Sequence, residues 1–300
     1  MKFTFRLFNG FKLIDTQLWK APSSELNNLK SEYPGGAGCY CGLTAKKLKH
    51  DVSLHTRFGN DFPLESFLLE NKINIIGGLT EKLTTKFSIE ISGSERKLVL
   101  EDNCTNIEYQ KNNYDGVIVS PVFDEITNDV FNSLKNDSDF ILLDPQGFIR
   151  RINSKKEIFL EKTNINLEKI SAIKLNPEEL SCLTNDTAEQ GMKNIQSRGV
   201  DYVLYTNNRE ISLLVEDRLY TITLPNIKLN DTTGVGDIFS STFCCTMLKE
   251  NDFLWALCFA GGAAQAALDS NKIGVSKVPE KNTVETNGSY FYNIVKFSQI

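Results

Sequence analysis

From about residue 115 onward the chain alternates apolar, strand-like runs with helical ones, and that rhythm limits its fold more than any other feature. Residues 116–120 (Gly-Val-Ile-Val-Ser) are an apolar run, 124–135 read as a helix, and 139–144 form a second strand ending at Asp144. Residues 172–175 make a short strand. A helix over 187–198 opens with a Thr187-x-x-Gln190 capping box. A strand over 202–206 is followed by paired strands near 210–224. Apolar strands separated by helices predict a doubly wound, mostly parallel α/β sheet covered on both faces. Ligands of such sheets sit at the carboxyl ends of the strands. Asp144, Asn176, Thr206 and Asp237 each fall just after a strand and are expected to converge on one crevice.

The first third of the chain is less regular. Residues 3–8 alternate with the period of a strand, 39–48 read as a helix, 52–58 as a strand and 62–71 as an amphipathic helix. Residues 86–91 and 97–100 read as a hairpin, and with part of 11–33 they predict a small separate sheet. Three hundred residues suffice for one large domain of this kind, spanning 1–300, with a sizeable core. A net charge of −5 argues against nucleic acid or an anionic membrane as the main partner. Arg6 and Asn9 interrupt any signal-like apolar core, and the most apolar stretch, 253–268, is short for a membrane span and reads as a buried helix. The seven cysteines include no C-x-x-C pair, so reduced, buried thiols and a cytoplasmic protein are expected. His50 and His55 lie near no motif and are assigned to the surface or a strand end, which leaves a Ser/His/Asp triad unsupported.

The chemistry concentrates in Asp231-Thr232-Thr233-Gly234-Val235-Gly236-Asp237, which runs into a proline-free apolar stretch. A tight turn feeding a helix exposes backbone N–H groups without internal partners, at the positive end of the helix dipole. That is an anion site suited to phosphate. Phe239 stands where a dinucleotide fingerprint needs a third small residue, and no Gly-Lys-Ser/Thr follows, so neither that fingerprint nor a P-loop applies. A carboxylate is repelled by phosphate, so Asp237 needs a reason to be there. Accepting the proton of an attacking hydroxyl is one; favouring a helix N-terminus is the plainer alternative. Asn176-Pro177-Glu178-Glu179 likewise reads first as a capped helix start, with Pro at N1 and Glu at N3.

The Asp231–Asp237 string resembles the C-terminal motif of the ribokinase-like (PfkB) carbohydrate kinases, with Val235 in place of the usual Ala. Pro34-Gly35-Gly36-Ala37-Gly38 resembles the family's di-glycine motif, with Tyr40 where Asn is frequent. The resemblance implies a ribokinase-like domain with a small β lid near 11–33 and 84–101. It also implies ATP-dependent phosphorylation of a hydroxyl on a small polyol. It makes Asp237 the base and the amides of Gly234, Val235 and Gly236 an anion hole. It places Asp15, Gly35, Gly36, Tyr40 and Gln146 on the acceptor, and Lys174, Asn176, Thr206, Gly261 and Gly274 on ATP. Glu179 would organise Mg²⁺ through water. Asp231 and Thr233 would hold a monovalent cation such as K⁺, as in some members.

Asp144-Pro145-Gln146-Gly147-Phe148-Ile149-Arg150 and Tyr40 resemble the inositol-kinase-like branch. Thr206-Asn207-Asn208-Arg209-Glu210-Ile211 stands where the family has Thr-x-Gly-x-x-Gly, so the nucleotide-side loop is expected to differ in shape. A nucleoside kinase of the same fold and a non-catalytic small-molecule sensor remain alternatives, and a homodimer through the lid sheet is a further expectation.

Overall fold

The computed structural model describes residues 4–8, 11–16, 31–92, 95–136, 138–225, 232–270 and 272–300; of residues before 35 and of 89–96 only the backbone is described. The strands of the first half are β1 Thr4–Phe8, β2 Phe11–Thr16, β3 Ser31–Gly35, β4 Asp51–His55, β5 Ile73–Ile76, β6 Lys86–Ser92, β7 Glu95–Asp102 and β8 Tyr114–Val119. Those of the second half are β9 Ser138–Leu143, β10 Arg150–Ile152, β11 Ile158–Leu160, β12 Ala172–Leu175, β13 Tyr202–Asn207, β14 Glu210–Val215, β15 Arg218–Thr223 and β16 Lys296–Gln299. The helices are α1 Ala37–Lys47, α2 Glu65–Glu70, α3 Asn128–Leu134, α4 Gln146–Ile149, α5 Pro177–Thr184, α6 Ala188–Ser197, α7 Val235–Glu250, α8 Phe253–Asp269 and α9 Lys281–Ile294. A 3₁₀ turn spans Gly274–Lys277.

Ten strands form one sheet in the order β16-β15-β14-β13-β12-β9-β8-β1-β4-β5. The stretch from β5 to β13 is parallel throughout, and β13 to β16 are antiparallel. Period-2 alternation divides the core. Leu142, Ala172 and Leu204 face the cluster built with α1, α7, α8 and α9, while Ile141, Ile173 and Val203 face the one built with α3, α5 and α6. Helices therefore cover both faces, as expected of apolar parallel strands.

A second sheet of four strands, in the order β3-β2-β6-β7, matches the separate sheet expected from residues 11–33 and 84–101. Its β7 edge is tied back to the chain: the Leu100 N–H donates to the Lys156 carbonyl at 2.9 Å, and Val99 bridges Glu157. Among the described residues no helix is long and apolar enough to cross a membrane.

Several local expectations are corrected. The helix near 62–71 shrinks to Glu65–Glu70. Thr187 is the N-cap of α6, but its side chain accepts no capping hydrogen bond, so the capping box does not form. His50 and His55 are both buried rather than on the surface, although His55 does end β4. All seven cysteines are free thiols, six of them buried, as expected.

Candidate active site

The carboxyl ends of the central strands open into a cleft of about 510 Å³. Asp144, Asn176, Thr206 and Asp237 all line it, so the four strand-end positions do converge. Gly36, Tyr40, Gln146, Lys174, Thr233, Gly234 and Gly236 line it too, as does Leu98 from the small sheet. Burial of Val122, Phe123 and Ala37 against Phe87 and Leu100 fixes that sheet beside the cleft.

Asp237 lies in the first turn of the 16-residue α7, whose N-cap is Gly234. Gly234 has φ +78°, and a Cβ there would sit 2.5 Å from the Tyr40 ring. Only glycine meets both demands. Tyr40 is 3% exposed, wedged against Gly35 and Gly234, so its ring braces the turn. The Val235 N–H donates to the Thr232 carbonyl at 3.2 Å, which removes that amide from the expected anion hole. The N–H groups of Gly236 and Asp237, second and third in the helix, precede its first intrahelical hydrogen bond, from the Ile238 N–H to the Gly234 carbonyl at 2.9 Å, and so have no acceptor inside the helix.

The Asp237 carboxylate has the Ser120 hydroxyl 3.5 Å from its Oδ1. Burial, and then the neighbouring Asp144 carboxylate, push the Asp237 carboxyl up to about 7, against the opposing pull of Lys174, Ser120 and Arg150. A base that titrates near neutrality is matched to proton abstraction at physiological pH. Cys41 anchors the same helix turn: its thiol donates to the Asp237 carbonyl at 3.3 Å, and its own carbonyl accepts from Ser241 at 2.8 Å. Burial pushes the Cys41 thiol far up, so it is not a nucleophile.

Lys174 reaches the cleft from β12. Its Nζ lies 2.7 Å from Asp144 Oδ2 and 3.9 Å from Glu179 Oε2, all three side chains being buried. Burial works against the Lys174 charge, but Asp144 and Glu179 outweigh it and hold the ammonium above the usual lysine range. Glu179 completes the capping box predicted at Asn176: it accepts from the Asn176 N–H at 2.9 Å, and Asn176 Oδ1 accepts from the Glu179 N–H at 2.8 Å. Glu179 is 1% exposed and does not line the cleft. Among the described residues, Asp144 and Asp237 are the carboxylates that do. A hard divalent ion held mainly by phosphate oxygens and water needs few carboxylates and fits beside Asp144, with Glu179 standing behind Lys174.

Arg150 completes the charged lining. Its Nη1 donates to the Val122 carbonyl at 3.1 Å, and its guanidinium stands 5.7 Å from the Phe87 ring centroid. Burial pulls the guanidinium down to about 10, against the opposing carboxylates of Glu179 and Asp144, so it stays charged at neutral pH.

The model of the pfkB family of carbohydrate kinases matches residues 11–281. The chain belongs to that family. The sequence matches no curated protein. Among solved structures it is similar to a pyrophosphate-dependent kinase of the ribokinase family complexed with a pyrophosphate analog and myo-inositol. That match has a TM-score of 0.78 and 16% identity, and covers 94% of this chain and 99% of that one. The Arabidopsis thaliana ribokinase complexed with ribose and ATP gives a TM-score of 0.75, 17% identity and coverages of 96% and 99%. The Methanocaldococcus jannaschii nucleoside kinase gives 0.71, 16%, 96% and 98%. These likenesses establish the ribokinase fold.

Within that fold some expected site residues lie elsewhere. Gly261 is buried in α8, where a side chain would collide with Ile222, and neither it nor Gly274 lines the cleft. The nucleotide-side segment is a two-residue hairpin between β13 and β14. Asn208 takes φ +53°, and Arg209 is tied by its Nε to the Leu224 carbonyl at 2.9 Å. Asp231 and the side chain of Asp15 lie outside the described residues. Sequence reasoning passed over Ser120, and it quoted Arg150 at the end of the Asp144–Arg150 string without giving it a role. Ser120 directly follows β8, so the strand-end rule that found Asp144 also points to it. Arg150 sits six residues after Asp144, beyond a four-residue helix whose reversal brings it back to the cleft.

Proposed function

We propose that this protein transfers a phosphoryl group from ATP to a hydroxyl of a small carbohydrate, a sugar or a cyclitol such as myo-inositol. The observation that carries this reading is the Asp237 carboxyl, raised to about 7 and set at the head of α7 beside the amides of Gly236 and Asp237. The acceptor hydroxyl gives its proton to Asp237 as its oxygen attacks the terminal phosphorus, and the bond to the donor's bridging oxygen breaks. Ser120 orients the carboxylate. The transferred phosphoryl lies over the Gly236 and Asp237 N–H groups, with Arg150 as the cation facing it. Lys174, fixed by Asp144, sits close to Gly236 and faces the donor phosphates. Mg²⁺, carried in on the donor phosphates, would supply further charge neutralisation near Asp144.

Tyr40, Gly36, Gln146 and Asp15 are the acceptor-side residues in this reading. The small sheet is the lid; its closure would exclude water and limit loss of the phosphoryl group to hydrolysis. Arg150→Gln is expected to lower kcat by about 10²-fold or more, because one preorganised donor aimed at developing charge is worth that much. The acceptor KM should change little; steady-state kinetics with both substrates varied checks this.

A second reading of the donor is pyrophosphate. The short hairpin at Asn208-Arg209, in place of a glycine loop, and the packing of Gly261 inside α8 favour a donor site built around phosphates rather than a base. A panel of sugars, cyclitols and nucleosides, run with ATP and separately with pyrophosphate in Mg²⁺, tests both. Turnover of a sugar or cyclitol supports the proposal. Turnover of nucleosides alone moves the acceptor to the nucleoside class. ATP binding without turnover of any acceptor makes the protein a sensor.

A further inference from the structure

We propose that Lys277 is a built-in monovalent cation for the phosphate-binding turn, so that this protein works without K⁺ or Na⁺. The inference rests on the phosphoryl-transfer reading above. Lys277 is 1% exposed, although lysine is almost never fully buried without a partner. Its Nζ donates to the carbonyl oxygen of Thr233 at 2.9 Å. Thr233 immediately precedes Gly234, the left-handed N-cap of α7, so the ammonium sits directly behind the anion-facing turn.

The position has two consequences. In a trans peptide the carbonyl and the following N–H point in opposite directions. A cation held on the Thr233 carbonyl therefore aims the Gly234 N–H away from itself and pins the start of α7. The lysine also sets a cation on the back of that turn, in a buried setting where screening by salt is weak.

A backbone carbonyl in such a turn is the kind of oxygen that K⁺ would coordinate, and resemblance to the family suggested a monovalent cation at Asp231 and Thr233. The Thr233 carbonyl does not fit that ion, because it already accepts from an ammonium of the same charge. The lysine is held there by its own scaffold. It ends a 3₁₀ turn that begins at Gly274, with φ +62°, and the carbonyl of the next residue, Val278, accepts from Lys47 Nζ at 2.8 Å. Lys47 also pairs with Glu280 at 2.7 Å. The turn thus bridges α1, which follows the di-glycine segment, to the start of α7.

The test compares KCl, NaCl and tetramethylammonium chloride at one ionic strength of about 0.1 M, so that general screening is constant. Turnover and melting temperature of the wild-type protein are expected to be the same in all three. Selective activation or stabilisation of the wild type by K⁺ overturns the proposal, and this arm needs no variant. Lys277→Ala opens a space an ion can enter. It is expected to lose about 10- to 100-fold in turnover in tetramethylammonium chloride, the scale of one lost electrostatic contact. KCl or methylammonium chloride should recover part of the loss, and KCl should raise the variant's melting temperature, since an ion that binds only the folded state stabilises it. A folded variant that turns over at the wild-type rate, or stays inactive in every salt, assigns Lys277 to plain packing and overturns the proposal. If no acceptor is phosphorylated in any salt, the kinase reading fails while the melting temperatures still decide the role of Lys277.

Discussion

Asp237→Asn is expected to keep the fold and lose on the order of 10²–10⁴ in turnover, the usual contribution of a positioned general base. The amide is nearly isosteric and can still lie beside Ser120, so the loss would report the proton acceptor rather than a collapsed site. Stability should move the other way. The folded-state carboxyl is raised to about 7 from an ordinary value of 3.8. Between those values the folded state binds more protons than the unfolded one, so wild-type stability falls as pH rises through that window and stays lowered above it. The variant lacks this penalty. It should therefore melt above the wild type at pH 8, and the advantage should vanish below about pH 3, where both states of the wild type are protonated. The pH–rate profile of the wild type should rise with a single ionisation near 7 and then level off, and the residual activity of the variant should lack that step. Rate profiles and thermal melts on the two proteins check all of this together.

Lys174→Met is expected to show the largest loss of stability in the chain. Removing the lysine leaves the Asp144 carboxylate, 2.7 Å away, and Glu179, 3.9 Å away, buried without their cation. Breaking a buried ion pair from one side costs about 3–5 kcal/mol. At about 2–4 °C per kcal/mol for a chain of this size class, the melting temperature should fall by roughly 6–20 °C. The Lys174 ammonium is held above the usual lysine range, so the pairing persists across neutral pH, and the loss should be similar at pH 6 and pH 8. Adding Asp144→Asn to Lys174→Met should return part of the lost stability without returning activity. A single variant that melts like the wild type would mean that the cluster does not hold the site together.

The sequence carried the parts of the site that depend on local chemistry. Asn176-Pro177-Glu178-Glu179 encodes a capped helix start in its own side chains, and the capping box forms as read. The strand-end rule placed Asp144, Asn176, Thr206 and Asp237 around one cleft, because a parallel sheet fixes where its strand ends lie. What failed depends on tertiary packing. Thr187 has the residue pattern of a capping box, yet its hydroxyl makes no cap bond, since the pattern permits the bond without requiring it. His50 is polar enough to suggest the surface, but the chain around it packs inward; His55 is buried too, though it does end β4 as read. Strand β16 is short and exposed along its whole length, so no hydrophobic period marks it. Helix α9 did leave a signal: its buried residues Val284, Gly288 and Phe291 recur at helical spacing within a polar stretch. Lys277 could not be read in advance, because nothing local shows that its ammonium returns to a turn forty-four residues earlier.

The central claim is that the cleft moves a phosphoryl group onto an acceptor hydroxyl. The most direct measurement is ³¹P NMR of the wild-type protein with Mg·ATP and the acceptor panel. A new phosphomonoester resonance growing in step with ADP, and slowed about 10²-fold or more with Asp237→Asn, is the predicted result. ADP appearing only with inorganic phosphate, or no phosphomonoester with either ATP or pyrophosphate across the whole panel, would contradict it.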